Sequence, residues 1–218
     1  MELKNLKINF LGDSITAGTG ASSPENRFVD KVAEYTGAQC INYGIGGTRI
    51  ARQQEPSEFS QMDLDYCVRV ADMDPDADVV IVFGGTNDYD HGDAPIGEFS
   101  DRTPDTFYGA LHTLYTSLIE KYSDSYIIVM TPLHRTSEDV IHPCKGGVKA
   151  PLKEYVNIIR QVAEYYSLPV IDLYATSGIQ PEIPLIKEKF MADGLHPTDA
   201  GHKIIAKKIV AFLKNTVL

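Results

Sequence analysis

The chain has 218 residues, of which 43% are hydrophobic and 23% charged, so it carries enough apolar material for one core of ordinary domain size. Twenty Lys and Arg against thirty Asp and Glu leave a net charge of −10, which disfavours nucleic acid or an anionic membrane as a partner because both would repel the chain at long range. Three cysteines (Cys40, Cys67 and Cys144) are an odd number with no C-x-x-C spacing, so reduced thiols are expected rather than a disulfide framework or a zinc knuckle.

Strands are expected at Leu6–Leu11, Gln39–Gly44, Asp78–Phe83, Tyr126–Thr131 and Leu168–Leu173. Three of these runs are nearly continuous in β-branched or aromatic residues, the pattern of strands covered on both faces. Helical period lies between them. Phe28–Tyr35, Met62–Val70 and Leu152–Tyr166 are candidates, and Phe107, Leu111, Leu114, Tyr115, Leu118 and Tyr122 trace one buried stripe. Ile205, Ile209, Phe212 and Leu213 do the same in a last helix. Strand and helix in alternation predict an α/β three-layer sandwich with a five-stranded parallel sheet and right-handed crossovers. No repeat or linker divides the chain, so residues 1–218 are expected to form a single domain. No apolar run approaches the length of a membrane span, and charged residues at Glu2, Lys4 and Lys7 argue against a cleavable leader, so a cytoplasmic location is expected.

The connections differ in length with their position. Those entering strands are tight, whereas 12–26, 45–60, 84–104, 132–150 and 174–197, which leave strands, are long. In open α/β sheets the ligand crevice lies outside the carboxyl ends of the strands, so chemistry is expected in these five loops.

Each loop then has its own residues. Gly12-Asp13-Ser14 places a serine just past a buried strand, either as a nucleophile aimed into the crevice or as an ordinary turn or cap residue. The G-x-S-x-G frame of a nucleophile elbow is missing. Asn42-Tyr43-Gly44-Ile45-Gly46-Gly47-Thr48-Arg49 supplies glycines that let backbone approach a ligand, as an oxyanion amide or a phosphate cradle. It fails as a dinucleotide fingerprint because Arg49 stands where glycine is needed. Gly84-Gly85-Thr86-Asn87-Asp88 offers an amide N–H to a developing oxyanion, or alternatively a turn. Asp193-Gly194-Leu195-His196-Pro197 sets a carboxylate three residues before an imidazole, where it can reach Nδ1 and leave Nε2 as a base. His112 and His202 fall within helical patterns and are expected to be packing or surface residues. His91, His134 and His142 lie in crevice loops and are candidates for lining a pocket.

These four blocks, in this order and spanning residues 12 to 196, resemble the SGNH hydrolases, the GDSL-type esterase and lipase superfamily. The resemblance implies a flavodoxin-like sandwich and acyl transfer through an acyl-enzyme, with no cofactor and no metal. By position it implies Ser14 as nucleophile, His196 as base, Asp193 as its orienter, and an oxyanion hole from the Ser14 amide, a glycine amide and Asn87. Counting from Asn42 the glycine is Gly47, with Gly46 serving if the loop register differs by one. Ile15 stands where the family's name has leucine.

Asp13, Gly46, Tyr89, His91 and His134 are further candidates for substrate contact. The segments 89–103 and 134–150 are polar, which suits a short acyl group, such as acetyl, on a hydrophilic alcohol such as a carbohydrate. Longer acyl chains, as in a lysophospholipase or thioesterase, are the rival within the class, and a non-catalytic sugar- or nucleotide-binding protein the rival outside it. The partner expected is a small-molecule ester, with neither nucleic acid nor membrane, and a homo-oligomer stays open.

Overall fold

The computed structural model describes residues 2–143 and 149–217, so Cys144 lies outside the described residues. In chain order the elements are β1 (Lys7–Gly12), α1 (Ser14–Ala17), α2 (Phe28–Thr36), β2 (Gln39–Gly44), α3 (Tyr66–Arg69), β3 (Val79–Phe83) and α4 (Thr86–Asp90). They continue with α5 (Phe107–Lys121), β4 (Tyr126–Met130), α6 (Leu152–Tyr165), β5 (Val170–Ile171), α7 (Leu173–Thr176), α8 (Pro184–Phe190) and α9 (Asp199–Thr216).

The strands form one parallel sheet in the order β2-β1-β3-β4-β5. Alternation along the inner strands feeds two cores. Val79, Ile81 and Phe83 of β3, with Ile128 and Met130 of β4, pack against Phe28, Val29 and Val32 of α2 and Ile205, Ile209 and Leu213 of α9. Val80, Val82, Ile127 and Val129 face the other way, onto Leu111, Leu114, Tyr115 and Leu118 of α5 and Tyr155, Val156, Ile159 and Val162 of α6. A sheet covered on both faces needs apolar side chains at every position, which is why these strands read as unbroken runs. Each fully buried Leu, Ile, Val or Phe contributes about 1.5–3 kcal/mol by leaving water.

Two expected elements are shorter than their sequence patterns. The 62–70 stretch divides into a 3₁₀ turn at Ser60–Asp63 and the single helical turn α3. Asp65 causes the break, because its side chain accepts from the Val68 amide and caps a new helix start. At the far edge β5 keeps two residues of the six expected. Asp172 ends it by accepting from the Ala175 amide, which turns Leu173 into α7.

With this order the chain reverses direction between β1 and β3, the switch point at which flavodoxin-like sheets bind their ligands. The Gly12-Asp13-Ser14 turn leaves β1 and the Gly85–Asp88 turn leaves β3, so both open onto the same crevice. Cys40 and Cys67 are free thiols. Among the described residues no helix is long and apolar enough to cross a membrane.

Candidate active site

Ser14 is the first residue of α1. The chain turns sharply into it at Gly12, where a Cβ would stand 2.0 Å from Thr16 Oγ1, so only glycine fits. Asp13 is buried and caps α1, its Oδ1 accepting from the Ile15 amide at 2.9 Å.

Ser14 Oγ lies 2.9 Å from His196 Nε2, and His196 Nδ1 lies 2.7 Å from Asp193 Oδ2. The other carboxylate oxygen accepts from the backbone amides of Leu195 (2.8 Å) and His196 (2.7 Å). Partial burial pushes the Asp193 carboxyl up, but bonds from the His196 amide, the His196 ring and the Leu195 amide together hold it below the usual range. An ionised Asp193 accepts only, so the imidazole proton sits on Nδ1 and Nε2 is left to take the serine hydroxyl's hydrogen. The Asp193–His196 loop is anchored from the side by Thr136, whose amide donates to the Gly194 carbonyl at 2.9 Å.

The glycine loop closes over the other side of the serine. A Cβ on Gly46 would lie 3.7 Å from Ser14 Cβ, and Gly47 adopts φ +78° with the Met62 side chain packed at 2.7–2.9 Å from where its Cβ would be. Asn87 Nδ2 donates to the Thr48 carbonyl at 2.9 Å. That bond uses one amide hydrogen and fixes the rotamer, leaving the second hydrogen for the crevice.

Two buried residues that sequence reasoning passed over hold this loop in place. Arg69 donates from Nη1 to Thr48 Oγ1 (2.8 Å) and from Nη2 to the Gly12 carbonyl (3.1 Å) and the Tyr43 carbonyl, tying the ends of β1 and β2 together. Asp88 accepts from the amides of Ile50 (3.0 Å) and Ala51 (2.8 Å). Burial pushes its carboxyl up to about 6 against the pull of those amides. Asp88 stood in the motif as a turn residue. Arg69 gave one signal, a lone cation inside the apolar run Tyr66–Val70.

The candidates for substrate contact separate. Gly46 stands against Ser14 and His91 is exposed one turn beyond Asn87. Asp13 and Tyr89 are corrections, since each is only 1% exposed. Tyr89 packs edge-on against Tyr155 and His142 and spends its hydroxyl on the Ser137 carbonyl at 2.6 Å. His134 is partly exposed and bound into its own loop. Its Nδ1 meets Glu138 at 2.8 Å, its ring packs at a tilt against Tyr174 with centroids 3.8 Å apart, and it borders a cavity of about 10 Å³ with Asp13, Thr86 and Arg135, room for one water. His112 and His202 are buried packing residues in α5 and α9. Among the described residues no group of three His, Cys, Asp or Glu is placed to hold a metal ion.

The segments that follow the strands expose more apolar surface than the two loops considered in the sequence suggest. Val140 and Ile141 are exposed after β4, Phe59, Leu64 and Val68 after β2, and Ile183 and Leu185 at the start of α8.

A parallel sandwich with a serine, an imidazole and a carboxylate in series at its switch point defines the class: a serine hydrolase acting on ester bonds. The model of the GDSL-like lipase/acylhydrolase family matches residues 10–204, and the chain belongs to that family. Among solved structures, a protein from Lactobacillus plantarum is 31% identical with a TM-score of 0.82, over 98% of this chain and 99% of that one. A lipase/acylhydrolase from Enterococcus faecalis is 26% identical with a TM-score of 0.66, over 96% of each chain. An acetyl xylan esterase shares the fold at 22% identity and a TM-score of 0.67, over 95% of this chain and 100% of that one. Comparison with curated protein sequences gives no match.

Proposed function

We propose that the chain hydrolyses short-acyl esters, acetyl above all, of a polar alcohol such as a carbohydrate, through an acyl-enzyme on Ser14. The observation that carries the reading is the series Ser14 Oγ to His196 Nε2 (2.9 Å) and His196 Nδ1 to Asp193 (2.7 Å). His196 takes the hydroxyl proton as Ser14 attacks the ester carbonyl, and Asp193 steadies the imidazolium that results. The amides of Ser14 and Gly47 and the free hydrogen of Asn87 hold the tetrahedral oxyanion. His196 then protonates the departing alcohol and activates the water that releases the acid.

The short-acyl preference rests on what surrounds the serine. Met62 packs directly behind Gly47, and the cavity lined by Asp13 has room for no more than one water, so neither direction offers an acyl chain a tunnel. The exposed imidazole of His91 near the hole suits a hydroxylated alcohol. Esters of acetylated xylan are handled on this fold by the acetyl xylan esterase it resembles.

A second reading has its own observation. Phe59, Leu64, Val68, Ile183 and Leu185 expose apolar surface on the loops and short helices that follow β2 and β5, which favours a longer acyl chain. Hydrolysis of p-nitrophenyl acetate and octanoate by the wild type and Ser14→Ala decides between them. Serine-dependent turnover favouring acetate is expected. A preference for octanoate keeps the nucleophile and overturns the substrate class.

A further inference from the structure

α4 brings more than Asn87 to the crevice. His91 ends the helix one turn on, its amide donating to the Asn87 carbonyl at 3.1 Å, so the two side chains leave on the same side. Both meet the segment that follows Gly47. Asn87 Nδ2 reaches the Thr48 carbonyl, and His91 Nδ1 lies 2.9 Å from Arg49 Nη1.

The chemistry of that second contact has one solution. A guanidinium has only hydrogens to offer, so His91 Nδ1 accepts, the ring is neutral, and its proton resides on Nε2. Arg49 is held rigidly for this purpose. It is 3% exposed, and Nη2 donates to the Met62 carbonyl (2.9 Å) and to Asp63 Oδ1 (3.0 Å). Burial of the Nδ1 edge and the charge on Arg49 hold the imidazole below its ordinary range. Lys149 and Arg135 push the same way, and Asp90 alone opposes them. The residue as a whole is exposed, so the imidazole is not sealed within the core. His91 therefore presents a fixed N–H donor a helical turn from the oxyanion donor Asn87.

Resting on the esterase reading above, we infer that His91 is a specificity-determining residue: its Nε2–H donates to a hydroxyl or ring oxygen of the substrate's alcohol portion, with Arg49 as the positioning residue that fixes this tautomer. A donor so placed rewards an oxygen-rich alcohol and gives nothing to a hydrocarbon, which must strip its water without replacing it.

The test compares kcat/KM for the wild type, His91→Ala and His91→Gln on p-nitrophenyl acetate and on glucose bearing one acetyl ester. His91→Ala is expected to lose about tenfold on the acetylated sugar and less than twofold on the aryl ester, with His91→Gln recovering part of the loss through its amide N–H. Equal losses on both substrates, or none on either, overturn the inference. A wild type that cleaves the aryl acetate in a Ser14-dependent way but leaves the acetylated sugar untouched overturns the polar-alcohol reading and this inference with it. Turnover that survives Ser14→Ala instead overturns the nucleophile. Nitrogen-15 NMR of the imidazole is expected to place the proton on Nε2 alone at neutral pH, and a proton on Nδ1 contradicts the role given to Arg49.

Discussion

Two acid–imidazole pairs stand at the same edge of the sheet, and they differ in almost everything but their length. In Asp193–His196 the carboxylate is half-exposed and the ring's far nitrogen meets a serine at 2.9 Å. In Glu138–His134 the carboxylate is buried and already holds Tyr174 Oη (3.0 Å) and the Arg135 amide (3.1 Å), while the ring packs at a tilt against Tyr174. The first pair is open at one end and can pass a proton along. The second meets no serine, its carboxylate being shared with Tyr174 and the Arg135 amide, and it folds its loop, which presents Thr136 to Gly194 and so steadies the first pair. An acid beside a histidine is therefore not in itself a catalytic signal. What the remaining nitrogen reaches decides the role.

Mutations should separate the two pairs by which quantity they move. Ser14→Ala and His196→Ala are expected to lower kcat on p-nitrophenyl acetate on the order of 10⁴-fold with the melting temperature unchanged, because the residual rate comes from the oxyanion hole and binding alone. Asp193→Asn should cost at least 10²-fold in kcat, since the amide leaves the ring without its charged partner. Glu138→Gln should leave kcat within about threefold but destabilise the fold by about 1–3 kcal/mol in urea denaturation. A Glu138 variant as inactive as the Asp193 variant would erase the distinction drawn between the pairs.

Asn87→Ala tests the hole rather than the triad. A loss of about a hundredfold in kcat is expected with KM little changed, and full activity in a correctly folded variant would remove Asn87 from the hole.

The smallest effect concerns two carboxylates with opposite environments. Burial drives Asp13 up to about 7, against its ordinary 3.8, whereas hydrogen bonds hold Asp193 below 3.8. Between pH 3.8 and 7 folded Asp13 keeps a proton that the unfolded chain has lost, so its contribution to stability falls as pH rises through that window. Asp193 acts in the other direction, stabilising above its unfolded value and losing that effect as pH falls. Asp13→Asn keeps an oxygen for the Ile15 amide, and it is expected to raise stability at pH 8 by about 1 kcal/mol while changing little at pH 4. Denaturation curves at the two pH values check the sign.

Much of this molecule was legible before its structure. The strands β3 and β4 were readable because burial on both faces leaves a continuous apolar run, and the serine, imidazole and carboxylate that meet in the crevice because they sit in two short blocks, one leaving β1 and one just before α9. The remainder depends on individual contacts. Asp65 and Asp172 cut short a helix and a strand by capping the next turn, a local bond to the amide three residues on that a periodicity count does not register. Arg69 and Asp88 serve the site from beneath, through backbone groups of a loop far away in sequence. Glu138 follows its histidine by four residues instead of preceding it by three, so the pattern that found Asp193 passed over it. Tyr89 lies in α4 at the crevice edge yet turns inward, because its aromatic ring is the part of that polar segment that gains most by burial.

The central claim is that Ser14 is the nucleophile, and covalent trapping addresses it most directly. The protein is incubated with a fluorophosphonate, digested, and mapped by mass spectrometry, alongside Ser14→Ala. A single adduct on the peptide containing Ser14, absent from the variant, is the predicted result. An adduct on another residue, or undiminished labelling of Ser14→Ala, would contradict the account.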